Sequence, residues 1–284
     1  MIPQPDDIQA SLREVLHFLA DAGADEALDE IAADRFVTPS AKPTSRTGEQ
    51  LPPPTGVQRR QAATAATASP DASSRGDLAV PDEAQAARAR ELARNASTLE
   101  ELREILAAFD GCNLKSTAKN LVFADGNPEA PLMLVGEAPG RDEDLEGLPF
   151  VGRSGQLLDR MLAAIGRDRG SAYIANVIPW RPPGNRTPTP QETEICRPFI
   201  ERMIEIVNPK VLVNLGGPSA KTLLNTTEGI LRLRGNWRVH TTAAGVAIPA
   251  MPTLHPAYLL RNPAHKKLAW RDFLEVKAKL RGFD

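Results

Sequence analysis

Leu132-Met133-Leu134-Val135-Gly136-Glu137-Ala138-Pro139-Gly140 is the stretch whose reading decides the fold. Its first four residues are apolar without polar alternation, the pattern of a strand buried on both faces. Gly136 to Gly140 then breaks that strand into a loop. Comparable runs follow at Tyr173–Val177, Val211–Leu215 and Ile248–Thr253. Between and after them, Gly155–Ile165, Pro190–Ile206, Ser219–Leu224 and Pro263–Leu280 carry helical spacing. Short apolar strands alternating with helices predict a three-layer αβα fold around a central, four-stranded, mostly parallel twisted sheet. Such sheets place their functional side chains on loops past the strands' carboxyl ends. Glu137 follows the first strand and His255 the last, so a carboxylate and an imidazole are expected at one edge, as a hydrolytic pair would require.

Outward from this core the composition changes. The folded body is expected over residues 82–284. Ser97-Thr98-Leu99-Glu100 reads as a capping box, followed by an apolar stripe of Leu102, Ile105, Leu106 and Phe109. Residues 37–81 are rich in Pro, Ala, Ser and Thr, with no visible period, and read as a disordered linker. Within residues 1–36, Ile8, Leu12, Val15, Leu16 and Leu19 fall at helical spacing. That N-terminal helix is either a docking motif for a protein partner or a dispensable remnant.

Residues 1–87 hold 7 Lys and Arg against 14 Asp and Glu, whereas residues 88–284 hold 27 against 22. An acidic arm on a mildly basic body fits a body that touches polyanions, although a solvated tail beside an average domain gives the same count. No run approaches the ~18 apolar residues of a membrane span. Met1–Asp7 lacks the basic start and apolar core of a signal peptide, and two cysteines make no disulfide framework. A cytoplasmic protein with no membrane attachment is expected.

The motifs are denser than the composition suggests. Gly136-Glu137-Ala138-Pro139-Gly140-Arg141-Asp142-Glu143-Asp144 runs on to Pro149-Phe150-Val151-Gly152. Phe150 lies in a polar, glycine-rich turn and could offer a flat face on which a base stacks. The second strand ends in Asn176-Val177-Ile178-Pro179-Trp180-Arg181-Pro182-Pro183-Gly184-Asn185-Arg186. Asn carries both donor and acceptor, which suits a nucleobase edge presenting N–H and C=O. The last strand leads into His255-Pro256-Ala257-Tyr258-Leu259-Leu260-Arg261. Taken singly, each of these has a plainer reading: Glu137 as a turn cap, Phe150 and the tryptophans Trp237 and Trp270 as core, His255 as structural.

Occurring together and in this order over roughly residues 109–282, these motifs resemble the uracil-DNA glycosylase superfamily, and within it the family 4 enzymes of bacteria and archaea. The resemblance implies a DNA glycosylase that flips uracil out of DNA and hydrolyses its N-glycosidic bond to start base excision repair. It implies catalytic roles for Glu137, Glu143, Asn185 and His255. It also implies contacts to substrate from Gly136, Phe150, Asn176, Pro256, Leu259 and Arg261, the last loop entering the minor groove.

Family 4 enzymes typically hold a [4Fe–4S] cluster on four cysteines. This chain keeps Cys112 and Cys196, with Phe109 and Trp180 at the other two ligand positions, so no cluster and no metal is expected; the alternative is a cluster ligated partly by other residues or by another chain. Ala138 stands where the best-known relatives have an Asp; family 4 lacks that Asp too, so its absence does not imply inactivity. A basic insertion that traps the abasic sugar in a related branch is absent, so simple hydrolysis is expected. The alternatives are a non-catalytic descendant that binds DNA or a replication partner, and a glycosylase for another deaminated base.

Overall fold

The computed structural model of the chain describes residues 82–283. The expected N-terminal helix and the linker over 37–81 lie outside the described residues.

The chain begins with α1 (Asp82–Asn95), α2 (Leu99–Ala108) and α3 (Leu114–Thr117), then β1 (Ala124–Gly126) and β2 (Leu132–Gly136). Next come α4 (Arg141–Glu146), α5 (Arg153–Ala164), β3 (Tyr173–Asn176), α6 (Pro190–Val207), β4 (Val211–Leu215), α7 (Gly217–Leu224) and α8 (Ile230–Leu233). The last elements are β5 (Arg238–Thr241), β6 (Ala247–Thr253), α9 (Pro256–Arg261) and α10 (Lys266–Leu280). The capping box lies one residue later than expected. Thr98 accepts from the Glu101 amide and the Glu101 carboxylate accepts from the Thr98 amide.

Six strands form one sheet, in the order β1-β3-β2-β4-β6-β5. The four expected strands are its parallel centre, with Leu134 opposite both Ile174 and Val213, and Asn214 opposite Pro252. The sequence reading missed two antiparallel edge strands, β1 against β3 and β5 against β6. Both edges are short and partly exposed, so neither carries the apolar run that marks a buried strand.

Alternation along the central strands divides the core into two layers. Met133, Val135, Tyr173, Ala175, Leu212 and Ala250 face α1, α2 and α6, whose Leu102, Leu106, Phe199 and Ile204 fill that side. Leu132, Leu134, Ile174, Val211, Val213 and Met251 face α5 and α10, meeting Leu158, Leu162, Phe273 and Val276. Each such side chain contributes roughly 1.5–3 kcal/mol on burial, so the double coverage holds the strand ends rigidly enough to carry a site. Trp270 departs from its expected place in this core: it is 44% exposed on α10.

Candidate active site

A cleft of about 490 Å³ opens at the carboxyl ends of the parallel strands, lined among others by Glu137, Phe150, Asn176, Asn185, Gly216 and His255. The four motif segments therefore converge although they come from four separate connections.

Backbone pairing continues past the strand ends and fixes two of these residues. Val177 donates to the Gly136 carbonyl and Ile178 to the Glu137 carbonyl, both at 3.0 Å. Gly136 must be glycine because a Cβ there would lie 2.4 Å from Asn176 Oδ1 and 2.7 Å from the Phe150 ring. Asn176 is buried, and its Oδ1 has no hydrogen-bond partner among the described residues. A buried acceptor without a partner costs about 1–3 kcal/mol, which a ligand N–H aimed into the cleft would offset.

Phe150 is held in the left-handed region at φ 55°. A Cβ at Gly155 would collide with its carbonyl at 1.6 Å, and Arg169 donates to the carbonyls of both Pro149 and Phe150. Arg169 is itself tied to Asp125 of edge strand β1 and to Asp159 of α5. The ring is buried against the α5 layer, yet one part of it lines the cleft, 5.4 Å from the His255 ring centroid. Core packing and a stacking face are thus properties of one side chain.

His255 caps α9, its Nδ1 accepting the Ala257 amide at 3.1 Å. Since an amide can only donate, Nδ1 carries no proton and the neutral ring bears its hydrogen on Nε2. Burial, with the Arg261 charge as a second cause, pushes the imidazole pKa down to about 4. At neutral pH His255 is therefore an uncharged N–H donor.

Glu137 lines the same cleft with its carboxyl raised above the ordinary range by burial. Glu143 is differently occupied. Its two carboxylate oxygens accept the amides of Gly140 at 3.0 Å and Gly152 at 3.1 Å, clamping the first motif loop to the Phe150 loop. Asn185 sits at the exposed rim at φ 54°, its Oδ1 accepting from Arg181 Nε at 2.7 Å. On α9, Pro256 and Leu259 are buried beneath the loop, while Arg261 is exposed at the cleft mouth. Leu259 as it stands cannot enter a DNA groove; Tyr258, Leu260 and Arg261 are the more exposed side chains of that loop.

The sequence reading overlooked Gly216-Gly217-Pro218, which also lines the cleft. Gly216 has φ 94°, and a Cβ on it would lie 3.1 Å from His255 Cβ, so its bareness admits the imidazole. The signal was available, since a glycine pair directly follows the apolar run of β4.

The positions that the resemblance assigns to a cluster lie in the layer facing α1, α2 and α6. Cys196 Sγ donates to Cys112 Sγ at 3.7 Å, and both thiols are buried. The hydrogen bond to Cys112, with burial added, holds the Cys196 thiol well above its ordinary range. Phe109 and Trp180 are each 2% exposed, and Phe109 packs on Phe199 with ring centroids 5.2 Å apart. Two of the four positions carry thiols and the other two buried aromatic rings, so these residues do not supply the four thiolates of a cubane cluster. Among the described residues no group of three or more His, Cys, Asp or Glu could hold a metal ion. Among them, too, no helix is long and apolar enough to cross a membrane.

A family model for the uracil DNA glycosylase superfamily matches residues 123–274. The chain is 40% identical over 180 residues to the type-4 uracil-DNA glycosylase of Archaeoglobus fulgidus, covering 62% of this chain and 89% of that protein. It is 38% identical over 191 residues to the Thermotoga maritima type-4 enzyme, covering 64% and 96%. For the Sulfurisphaera tokodaii type-4 enzyme the figures are 37% over 188 residues, covering 63% and 84%.

Proposed function

Because the chain belongs to the uracil-DNA glycosylase superfamily, we propose how its cleft carries out that family's reaction. The protein is a DNA glycosylase that hydrolyses the N-glycosidic bond of uracil in DNA and leaves an abasic site, the opening step of base excision repair.

A uracil flipped into the cleft stacks on Phe150. Its N3–H meets the unpaired Asn176 Oδ1, and its O4 accepts from the same amide's N–H. Cytosine offers the reverse pattern at those two atoms and leaves both groups of Asn176 opposed, which excludes the normal base. As the C1′–N1 bond breaks, its electron pair moves into the pyrimidine and the sugar becomes oxocarbenium-like. His255 Nε2–H donates to O2 of the departing anion, an interaction stronger in the transition state than in the ground state. Water adds to C1′ and passes its proton to the Glu137 carboxylate, whose raised pKa makes it a better base than a solvated glutamate. Arg261 at the mouth offers a charge to the flanking phosphate. Glu143 and Asn185 act through the loops, Glu143 by clamping them and Asn185 by tying Arg181 at the rim.

The packing around Phe109, Cys112, Trp180 and Cys196 supports an enzyme that works without an iron–sulfur cluster, and no step above passes through one.

The observation that carries this mechanism is that His255, whose Nδ1 accepts the Ala257 amide, and the unpartnered Asn176 Oδ1 belong to residues lining the same cleft. Incubating the protein with end-labelled duplex containing one U·G pair tests it. Alkali-sensitive cleavage at the uracil is expected and should be lost with His255→Ala. DNA binding without cleavage would instead make the chain a binding descendant.

A further inference from the structure

His255 sits two residues beyond the end of β6, and among the described residues its side chain has one hydrogen bond, accepted from the Ala257 amide within its own loop. Its height over the cleft is therefore set by the backbone that delivers it. That backbone is anchored from two directions. Thr253, the last residue of β6, is fully buried and donates its hydroxyl to Asp272 Oδ2 at 2.6 Å. Its carbonyl accepts the Gly216 amide at 2.9 Å, the glycine packed against His255.

Asp272, on α10, is 1% exposed. Arg234 grips both of its oxygens, through Nε to Oδ2 at 3.0 Å and through its second guanidinium nitrogen to Oδ1. That nitrogen also donates to the Leu268 carbonyl at 2.9 Å. The neighbouring Gly235, at φ 74°, donates to the Pro252 carbonyl at 3.1 Å, and a Cβ there would press on Asp272 Oδ1 at 2.8 Å. Helix α10, the turn before β5 and the end of β6 thus meet on one buried carboxylate. Packed apolar side chains would hold such a junction at least as stably as a buried ion pair does. What the charged version adds is direction, because fixed donors and acceptors define a single register.

We propose that Arg234, Asp272 and Thr253 form a positioning device that fixes the His255 imidazole over the cleft. The inference rests on the role of His255 proposed above. A hydrogen-bond donor displaced by a fraction of an ångström loses transition-state stabilisation while leaving DNA contacts intact.

Five variants test the device: Thr253→Val, Thr253→Ser, Asp272→Asn, His255→Ala and the Thr253→Val/His255→Ala double. The readouts are the single-turnover excision rate on U·G duplex, duplex affinity by fluorescence anisotropy, and the melting temperature. Thr253→Val should slow excision about 10- to 100-fold with affinity changed less than about twofold, and Thr253→Ser should restore most of the rate. The Thr253→Val loss should disappear when His255 is already alanine, because nothing is then left to position. Asp272→Asn should reproduce the slow excision with a lower melting temperature. A wild-type rate for Thr253→Val, or an equal loss with and without His255, would overturn the device. A wild-type rate for His255→Ala would instead remove the mechanism on which it rests.

Discussion

The cleft and the aromatic–thiol layer behind β3 are built by opposite rules. In the cleft, Asn176 keeps an unpaired buried oxygen, Glu137 and His255 are moved from their ordinary pKa values by burial, and Phe150 and Asn185 hold left-handed backbone angles. In the layer, Phe109, Trp180 and Phe199 pack fully buried and the two thiols satisfy each other. Unpaired buried polar atoms also occur at Gln85 beside Phe109 and at Asn214, and left-handed backbone at Asn208 and Asn225; what sets the cleft apart is that such features gather on one open concave surface. The layer occupies the place where the family's resemblance would put a cofactor, yet it has the character of core. The polar cleft and the apolar layer therefore differ in construction: one gathers ionisable and amide side chains, the other aromatic rings and two thiols.

The largest effects that separate the two regions concern different observables. Trp180→Ala should cost about 3–5 kcal/mol of stability, as truncation of a buried aromatic does, measured by thermal or urea unfolding. At temperatures where the variant stays folded, its single-turnover rate should remain near wild type. A loss of excision without a loss of stability would break the comparison, because the layer would then be serving the chemistry directly.

His255→Ala should do the reverse. Removing one preorganised donor to a developing anion typically slows chemistry 10²–10³-fold, and a partly buried side chain at a loop start should cost little in unfolding. A large fall in melting temperature would mean that the cleft residue is structural.

Glu137 sharpens the contrast through pH. Burial raises its carboxyl, and the base must be ionised to accept a proton, so excision should fall as pH drops through a value above the ordinary 4.5. His255, at about 4, stays neutral over most of that range and is not the source of the limb. Glu137→Gln should lower the rate about 10²-fold, at the modest end of general-base effects, and should flatten the acid limb. An unchanged limb in that variant would assign it elsewhere.

How much of this was legible before the structure follows from the same physics. Four strands could be read because Leu132–Val135 and its counterparts are buried on both faces, and burial forces an unbroken apolar run. Edge strand β1, Ala-Asp-Gly, obeys no such constraint and gave no signal, although its Asp125 holds the arginine that fixes Phe150. Glu137, Asn176 and His255 could be placed because strand ends are predictable. The clamping of Glu143 could not, since it depends on the amides of Gly140 and Gly152, from two different loops, meeting on one carboxylate. Trp270 was misplaced because helical spacing ranks apolar residues without showing which one lies on the rim of the stripe.

The smallest expected effect is the most discriminating. Cys112 and Cys196 behave here as two small buried hydrophobes that share one S–H contact. Replacing both by alanine removes little volume, so stability should fall by roughly 1–2 kcal/mol in total. Uracil excision should change less than about twofold, because neither sulfur lines the cleft. Protein purified without oxygen should lack the broad absorbance near ~400 nm of a thiolate-bound cluster, before and after the substitution. If wild type carries that band and the double variant loses both band and stability, iron has opened the thiol contact and displaced the rings. The layer would then be a metal site whose apolar packing belongs only to its iron-free form, and the difference between the two regions would be one of occupancy and not of construction.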